Sequence, residues 1–471
     1  MLLCQAPTRC GVYRKFASAA WSDLHKVAFL GGNVCPPATT STLLRTAAAA
    51  AAAPFLRSPS FQRRLFHSSL QLLYMQCPTF KDMSPQAIVM FLKTNVRSPV
   101  HSDDVTKAFS CFVKNGGWTS DRDFSLILTL LDVNVKHMSS RALATSLLGL
   151  SKLRVPPDSP LVSKLCDAAA ASSETFDSHS VSNVFNALSR LRLLDPTLIK
   201  AMCAVARLRA ADFEPQAVAN TLQALNRFQH YDEELVGALC AQARLKRQGF
   251  NPQNLSNTLT ALKNFDHFDK KLLKDMCAEA RLKAKDFNFL DVSTFLSAIA
   301  YFDHYDSFLV ESLCSAAVSN RSDFNARAIS ETLCALSRLN HYDKVLVKAL
   351  CEQGVSRARD FRPQAISDML HYLSNFDHYD KIFVDSICKK AAENATEFSG
   401  SEVSNVLNAL GRFDHYDGIV VDALLERAVD IGKNGDGEVL LNVRNGLQLF
   451  ERIPHAKKNE YLTKIGTYII G

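Results

Sequence analysis

Glycine and proline are scarce in this 471-residue chain, at 18 and 16, and tryptophan occurs only twice. So few turn formers argue against a fold of many short strands, each of which needs its own tight turn. No run of about 18 apolar residues is present, so no segment reads as a membrane-spanning helix. The phosphate-cradling GxxxxGK[ST], the zinc-binding HExxH, the nucleophile elbow GxSxG and the dinucleotide fingerprint GxGxxG are all missing. No CxxC or CxxxC supplies a ready pair of metal ligands. What is there, 47% hydrophobic and 21% charged residues, has the balance of a folded soluble protein.

Acidic residues are almost absent from residues 1–73, where Asp23 stands against eight Lys or Arg and an Ala47–Ala53 run. Basic, acid-poor and rich in Ser and Ala is the composition of an organellar transit peptide. Arg64-Leu65-Phe66-His67-Ser68-Ser69 resembles a mitochondrial presequence processing site, which places the mature start near Tyr74 and the protein in the mitochondrial matrix. Plastid import shares much of this composition. Without that segment the chain carries 46 basic and 46 acidic residues, so its basic pI belongs to the leader. A nucleic-acid partner has to be argued from local clustering instead.

The motif FDHYDK at Phe376–Lys381 recurs as FDHYDG at Phe413 and FDHYDS at Phe302. His230, His267, His304, His341, His378 and His415 are 37 residues apart. So are Cys166, Cys203, Cys240, Cys277, Cys314, Cys351 and Cys388, and the Phe row Phe176, Phe213, Phe250, Phe287, Phe324, Phe361 and Phe398. Each unit reads as two amphipathic helices. Val218, Leu222, Leu225 and Phe228 share one face of the first, and Leu235, Val236, Leu239, Cys240 and Ala243 one face of the second. The second runs on to Gly249, where a C-terminal glycine fits. Neither helix covers its apolar face alone, so units must stack. The expected fold is all-α, an α-solenoid of about eight 37-residue helix-turn-helix repeats with terminal caps. Its divisions are a leader (1–73), an N-terminal helical cap (74–138), the array (139–434) and a C-terminal capping repeat (435–471). Asn115 to Phe124, NGGWTSDRDF, reads as a loop without an assigned use.

The repeat resembles the heptatricopeptide repeat of apicomplexan organellar proteins, akin to pentatricopeptide and octotricopeptide repeats. The elements that match are FDHYD between the helices, LVxALC in the second helix and a PQAISNxLxAL-like first helix. FRPQAISDMLHYLSNFDHYDK (Phe361–Lys381) and FNARAISETLCALSRLNHYDK (Phe324–Lys344) show it best. The resemblance implies an organellar RNA-binding protein. Many members end in a nuclease-like RAP domain, but here only the cap helices, ending EYLTKIGTYIIG, follow the array, so nuclease activity is not implied.

A motif repeated in every layer is a poor active site, and its components have structural uses. The last Asp (Asp195, Asp232, Asp269, Asp306, Asp343, Asp380, Asp417) stands where it would N-cap the second helix. The His is expected to hydrogen-bond within the turn, and the Tyr to pack between layers. Adjacent layers lie about 10 Å apart, so Cys residues of one row should meet neither disulfide nor zinc geometry. With nearly all His and Cys absorbed, the chain is expected to be no enzyme and to need no cofactor or metal.

With the repeat Phe as position 1, positions 4, 8, 11 and 15 form a polar stripe on the first helices. Its expected RNA-contacting residues are Asn183, Asn186, Arg190, Gln216, Asn220, Gln223, Arg227, Gln253, Asn257, Thr260, Arg338, Asn405, Asn408 and Arg412. They vary within a hydrogen-bonding vocabulary, as in modular readers of single-stranded RNA. Basic ends of the second helices (Arg207, Arg209; Arg244, Lys246, Arg247; Arg281, Lys283, Lys285) could grip phosphates or complement the helix dipole. They point to the N-terminal half as the RNA end. Expected partners are single-stranded or ribosomal RNA and proteins of a mitoribosome or another organellar complex, without membrane insertion. The alternative is a protein scaffold in a mitochondrial complex, favoured by neutral charge and by Tyr301 and Tyr372.

Overall fold

A computed structural model describes residues 102–114, 121–319, 324–433 and 437–469. The expected leader (1–73) with its processing point, residues 74–101 of the N-terminal cap, and loop residues 115–120 lie outside the described residues. Every described element is a helix. Two compact units are present, one up to Leu130 and one from Leu131 onward. In the first, α1 (Ser102–Lys114) buries Val105, Ala108, Phe109 and Phe112. Helix α2 (Asp121–Asn134) contains the apolar stretch DFSLILTLL and buries Ile127 and Leu130.

The second unit is the α-solenoid. Its first helices are α3 (Ser140–Lys152), α5 (Ser178–Leu191), α7 (Pro215–Arg227), α9 (Pro252–Asn264), α11 (Phe289–Tyr301), α13 (Ala326–Arg338), α15 (Pro363–Asn375) and α17 (Gly400–Arg412). Its second helices are α4 (Pro160–Ala171), α6 (Pro196–Leu208), α8 (Glu233–Leu245), α10 (Lys270–Leu282), α12 (Ser307–Ser319), α14 (Lys344–Ser356), α16 (Lys381–Glu393) and α18 (Gly418–Lys433). Helices α19 (Gly437–Leu449) and α20 (His455–Ile469) close the array. First helices stack on first helices and second on second, with the first-helix layer the more closely spaced. That is the neighbour-only packing of a solenoid. Small residues such as Ser182, Ala219, Ser256 and Ser293 permit the close spacing, and all four are buried. Ser256 Oγ donates across it to the Asp291 carbonyl at 2.9 Å.

The repeat Phe is the central buried side chain of each layer, no more than 2% exposed from Phe176 to Phe398. Phe176, Phe213, Phe250, Phe287, Phe361 and Phe398 each follow a single 3-10 turn, as in Arg247–Gly249 before Phe250. The second helix therefore ends at Leu245, earlier than its sequence pattern suggested. Gly249 is not a C-cap. A Cβ there would sit 2.8 Å from Pro215 Cγ, but Asp286 and Glu397 occupy the equivalent places opposite Pro252 and Pro363, so glycine is not required.

The FDHYD segment makes two caps in five residues. The residue after the first-helix Phe is left-handed at Gln229, Asp266, Asp303, Asn340, Asp377 and Asp414, with φ of 49–54°. The next amide then reaches back five residues, as His230 N–H does to the Leu225 carbonyl at 3.0 Å, while Gln229 N–H bonds Asn226. This is a Schellman closure. The last Asp caps the second helix as expected. Asp232 Oδ1 accepts from Leu235 N–H at 3.0 Å and Asp343 Oδ1 from Leu346 N–H at 2.9 Å.

The His does not bond within its own turn. Tyr231, Tyr305, Tyr342 and Tyr379 each share a hydrogen bond with Nδ1 of the His one layer on (His267, His341, His378, His415) at 2.9–3.1 Å. The Tyr rings also lean on the next layer's Phe, with centroids 5.4 Å apart for Tyr342–Phe376 and Tyr379–Phe413. The reach of a tyrosine side chain matches the layer spacing, whereas two residues of one turn point along diverging backbones.

Burial lowers the pKa of His378 and His415 below the ordinary 6.5. The unfolded chain therefore binds these protons first on acidification. Stability present above about pH 6.5 should fall towards pH 5, and urea titrations at the two pH values should show it, with less loss in a His378→Gln/His415→Gln variant. Asp380→Ala should cost about 1 kcal/mol in the same titration by removing a cap.

Candidate functional site on the first helices

The predicted stripe exists, and its shape follows from the close spacing of the first helices. Position 4 stands exposed (Gln216, Gln253), as does position 15 at Arg190, Arg227, Arg338 and Arg412. Positions 8 and 11 are half-buried in the seven Phe-led units, including Asn183, Asn186, Asn220, Gln223, Asn257, Thr260, Asn405 and Asn408. The stripe is thus a shallow trough with a polar floor and basic rims.

Several predicted residues are already tied. Gln223 Nε2 donates to Asn257 Oδ1 of the next unit at 2.8 Å. Arg227 donates to Ser189 Oγ at 3.0 Å, and Arg412 to Asn375 Oδ1 at 3.0 Å. Asn183, Asn186, Asn220, Asn405 and Asn408 have no hydrogen-bond partner for their side chains among the described residues. A half-buried amide left open in this way favours an incoming polar ligand or water.

The stripe is not uniform along its length. Units led by Phe176, Phe213 and Phe250 place Asn at position 8, but the Phe324 and Phe361 units place Glu331 and Asp368 there. Glu331 is paired with Arg327 at 2.7 Å and accepts from Ser293 Oγ. Burial, with Glu402 nearby, raises the Asp368 carboxyl above its ordinary value. Tyr301 lies between Lys263 and Arg338, each 5.9 Å from its ring, and donates to Asp266 at 2.9 Å. Two amide-rich stretches therefore flank an acidic middle.

The second stretch extends further than the sequence reading took it. Counting 37 onward from Asn405 and Asn408 lands on Asn442 and Asn445 of α19, which are exposed on the same side. His371, Ser374, Asn405, Asn408, Ala409, Arg412, Asn442 and Asn445 line one cavity of about 240 Å³. Gly411 and Gly446 let α17 and α19 approach here. A Cβ on Gly411 would lie 2.7 Å from the Gly446 carbonyl, and one on Gly446 2.9 Å from Asn408 Oδ1. The degenerate cap had lost the Cys and HYD markers, which hid these two residues. The period alone would have found them.

The basic helix ends serve largely within the array. Lys246 donates to the Phe213 carbonyl at 3.2 Å and pairs with Glu214. Lys283 donates to the Phe250 carbonyl at 2.6 Å and pairs with Glu279. Arg427 does the same for Phe398 at 2.8 Å. Each closes a unit by satisfying the carbonyl left over where the Phe hinge interrupts helical bonding. Arg207 joins Asp232 and Glu234, and Arg244 joins Asp275.

The Cys and His rows meet between layers, which spacing within one row did not address. Residues of one row stay apart, but stacking brings Cys203 to His230 and Asp232, Cys314 to His341 and Asp343, and Cys351 to His378 and Asp380. Their ligand atoms lie within 4.8 Å of one another in each case. The donors are engaged otherwise. The Asp oxygens cap helices, and Nδ1 of His341 and of His378 meets a tyrosine hydroxyl. Burial, then the neighbouring Asp, pushes the Cys203 and Cys314 thiols up to about 12 and raises Cys351 as well.

A stacked helical-pair array with a polar trough along one layer defines an α-solenoid repeat protein. The chain belongs to the family of RNA-editing substrate-binding complex 6 proteins, which matches it over residues 79–265 and 209–443. No curated protein matches it. Among structures, a homology model of the full-length AP-3 complex in an intermediate open conformation is similar over 95% of this chain and 80% of that one. The identity is 12% and the TM-score 0.34, too low to carry an inference.

The seven row cysteines from Cys166 to Cys388 should resist alkylation at pH 8 in the native protein, because they are buried and protonated. Half-buried Cys334 should react before any of them. Peptide mass spectrometry over a time course tests this.

Proposed function

We propose that the chain is a non-catalytic RNA-binding helical-repeat protein of the mitochondrial matrix. It holds single-stranded or ribosomal RNA along its first helices as part of a larger organellar assembly, such as an RNA-handling complex or a mitoribosome. The observation that carries this reading is the trough of open amides, Asn183, Asn186 and Asn220 at one end and Asn405 and Asn408 at the other. Amides offer donor and acceptor together, which is what base edges require. Arg190, Arg227 and Arg412 on the rim suit phosphates, whereas Arg338 shares its unit with Glu331. The family name supports RNA and an editing complex as partners, and the leader supports the compartment. The heptatricopeptide resemblance supports the same use. The structural duties of the His and Cys rows support a non-catalytic role.

The acidic middle argues for two RNA contacts separated by Glu331 and Asp368 rather than one unbroken track. Phosphates are repelled there and held on either side.

The scaffold alternative is favoured by one observation on the second helices. Leu208, Leu245 and Leu282 are at least 80% exposed and repeat every 37 residues, and Phe308, Val345, Ile382 and Ile419 form a second such row at 64–76%. Isolated exposed apolar residues are ordinary, but rows in register suit a protein partner. Both readings are compatible, because the rows and the trough belong to different helices.

Full-length protein should bind fluorescent single-stranded RNA at 50 mM salt, with affinity falling steeply as salt rises. Arg190→Ala/Arg227→Ala should weaken binding to all sequences and flatten that salt dependence. Absence of binding at 50 mM salt would remove the RNA reading. Leu245→Lys/Leu282→Lys should leave RNA affinity unchanged while releasing proteins that co-purify from mitochondria.

A further inference from the structure

We infer that the cavity between α17 and α19 receives a single unpaired nucleobase of the bound RNA, with adenine the best match. This rests on the RNA-binding reading above and adds a defined subsite with a base preference.

The residues converge from three layers. His371 comes from α15, Asn405, Asn408 and Arg412 from α17, and Asn442 and Asn445 from the cap helix α19. In the other units each amide pair faces a further repeat. Here the array ends, so the α19 amides stay exposed while those of α17 remain half-buried. Four carboxamides on two adjacent helices thus surround one space, and none has a hydrogen-bond partner among the described residues. A volume of about 240 Å³ falls just under the roughly 300–1,000 Å³ of pockets for drug-sized ligands. It has room for one flat ring system.

The chemistry of the walls selects the ligand. No carboxylate lines the cavity, and its one charged member is Arg412, so an anion-bearing ligand is favoured. Arg412 has one N–H on Asn375 Oδ1, which fixes the side chain and leaves other donors for a phosphate. His371 is half-buried. Its Nε2 meets Asn375 Nδ2 at 3.2 Å, so this nitrogen is the acceptor and the ring is neutral. Such a ring offers a stacking face. A carboxamide matches adenine through paired donor and acceptor atoms on one edge. The glycines complete the fit. Any side chain at Gly446 would press on Asn408 Oδ1, and none at Gly411 would allow the two helices their present approach.

The test uses full-length protein and 12-nucleotide homopolymers of A, C, G and U, followed by fluorescence anisotropy at 50 mM salt. Wild type should prefer oligo(A). Asn405→Ala/Asn442→Ala should cut that preference about tenfold while the salt dependence stays unchanged. The single Asn442→Ala variant, altered at an exposed helical position, should show a smaller loss with an unchanged circular-dichroism melt. Asn183→Ala/Asn220→Ala, at the far end of the trough, should weaken all four polymers and keep the preference. If wild type binds RNA without favouring oligo(A), or if both cavity variants keep the preference, the subsite is refuted and the RNA-binding reading stands. If wild type binds none of the four polymers, the RNA-binding reading falls and the subsite with it.

Discussion

Each first helix has to stop and the chain turn back at the same angle, layer after layer, or the units would not stack. A single left-handed residue does this. Eight described residues, from Arg154 to Asp414, take φ of 49–56°. An L-residue in that conformation is unfavourable by roughly 1–2 kcal/mol, and the Schellman bonds offset it by satisfying the carbonyls at the helix end. Asp and Asn tolerate the conformation best, which explains the Asp of FDH and its replacement by Asn340. With the turn set, the next residues fall into place. The His amide closes the first helix, the Tyr reaches the following layer, and the final Asp opens the second helix. The trough on the first helices exists because this turn delivers every first helix to the same position in its layer.

Much of the architecture was legible because it is periodic. A period of 37 in three residue types specified helical pairs, their stacking and the N-cap Asp residues. The apolar faces of the two helices in the Phe213 unit followed from 3.6-residue spacing. What was not legible depends on neighbours distant in sequence. The Tyr342–His378 bond spans 36 residues, and nothing within one turn distinguishes it from a local contact. The approach of Cys351 to His378 and Asp380 comes from stacking, so spacing within a row concealed it. The 3-10 turns before six of the repeat Phe residues escaped notice because helical and 3-10 segments share composition.

The candidate site was legible as a stripe and not as a surface. Periodicity placed Asn183, Asn220, Asn405 and their companions on one side of their helices. It could not show that positions 8 and 11 are half sheltered, since shelter depends on how closely neighbouring helices pack. Nor could it show that Gln223 satisfies Asn257, or that Arg227 rests on Ser189. The basic helix ends are the clearest case of composition misdirecting. Lys246 and Lys283 look like phosphate contacts in the sequence, yet they serve the carbonyls of Phe213 and Phe250 inside their own units.

The tyrosine–histidine bonds always link one layer to the next, and always in the same sense. Tyr231, Tyr305, Tyr342 and Tyr379 each plug into the layer that follows, whereas Phe268 has no hydroxyl to offer His304 and meets Phe302 instead. Loss or duplication of one of the layers that carry Tyr305, Tyr342 and Tyr379 would leave each remaining plug opposite a matching socket. Such a molecule can change length in its lineage by whole units without redesigning its interior. The distance between the two amide-rich stretches is then an adjustable quantity, set by how many layers lie between them.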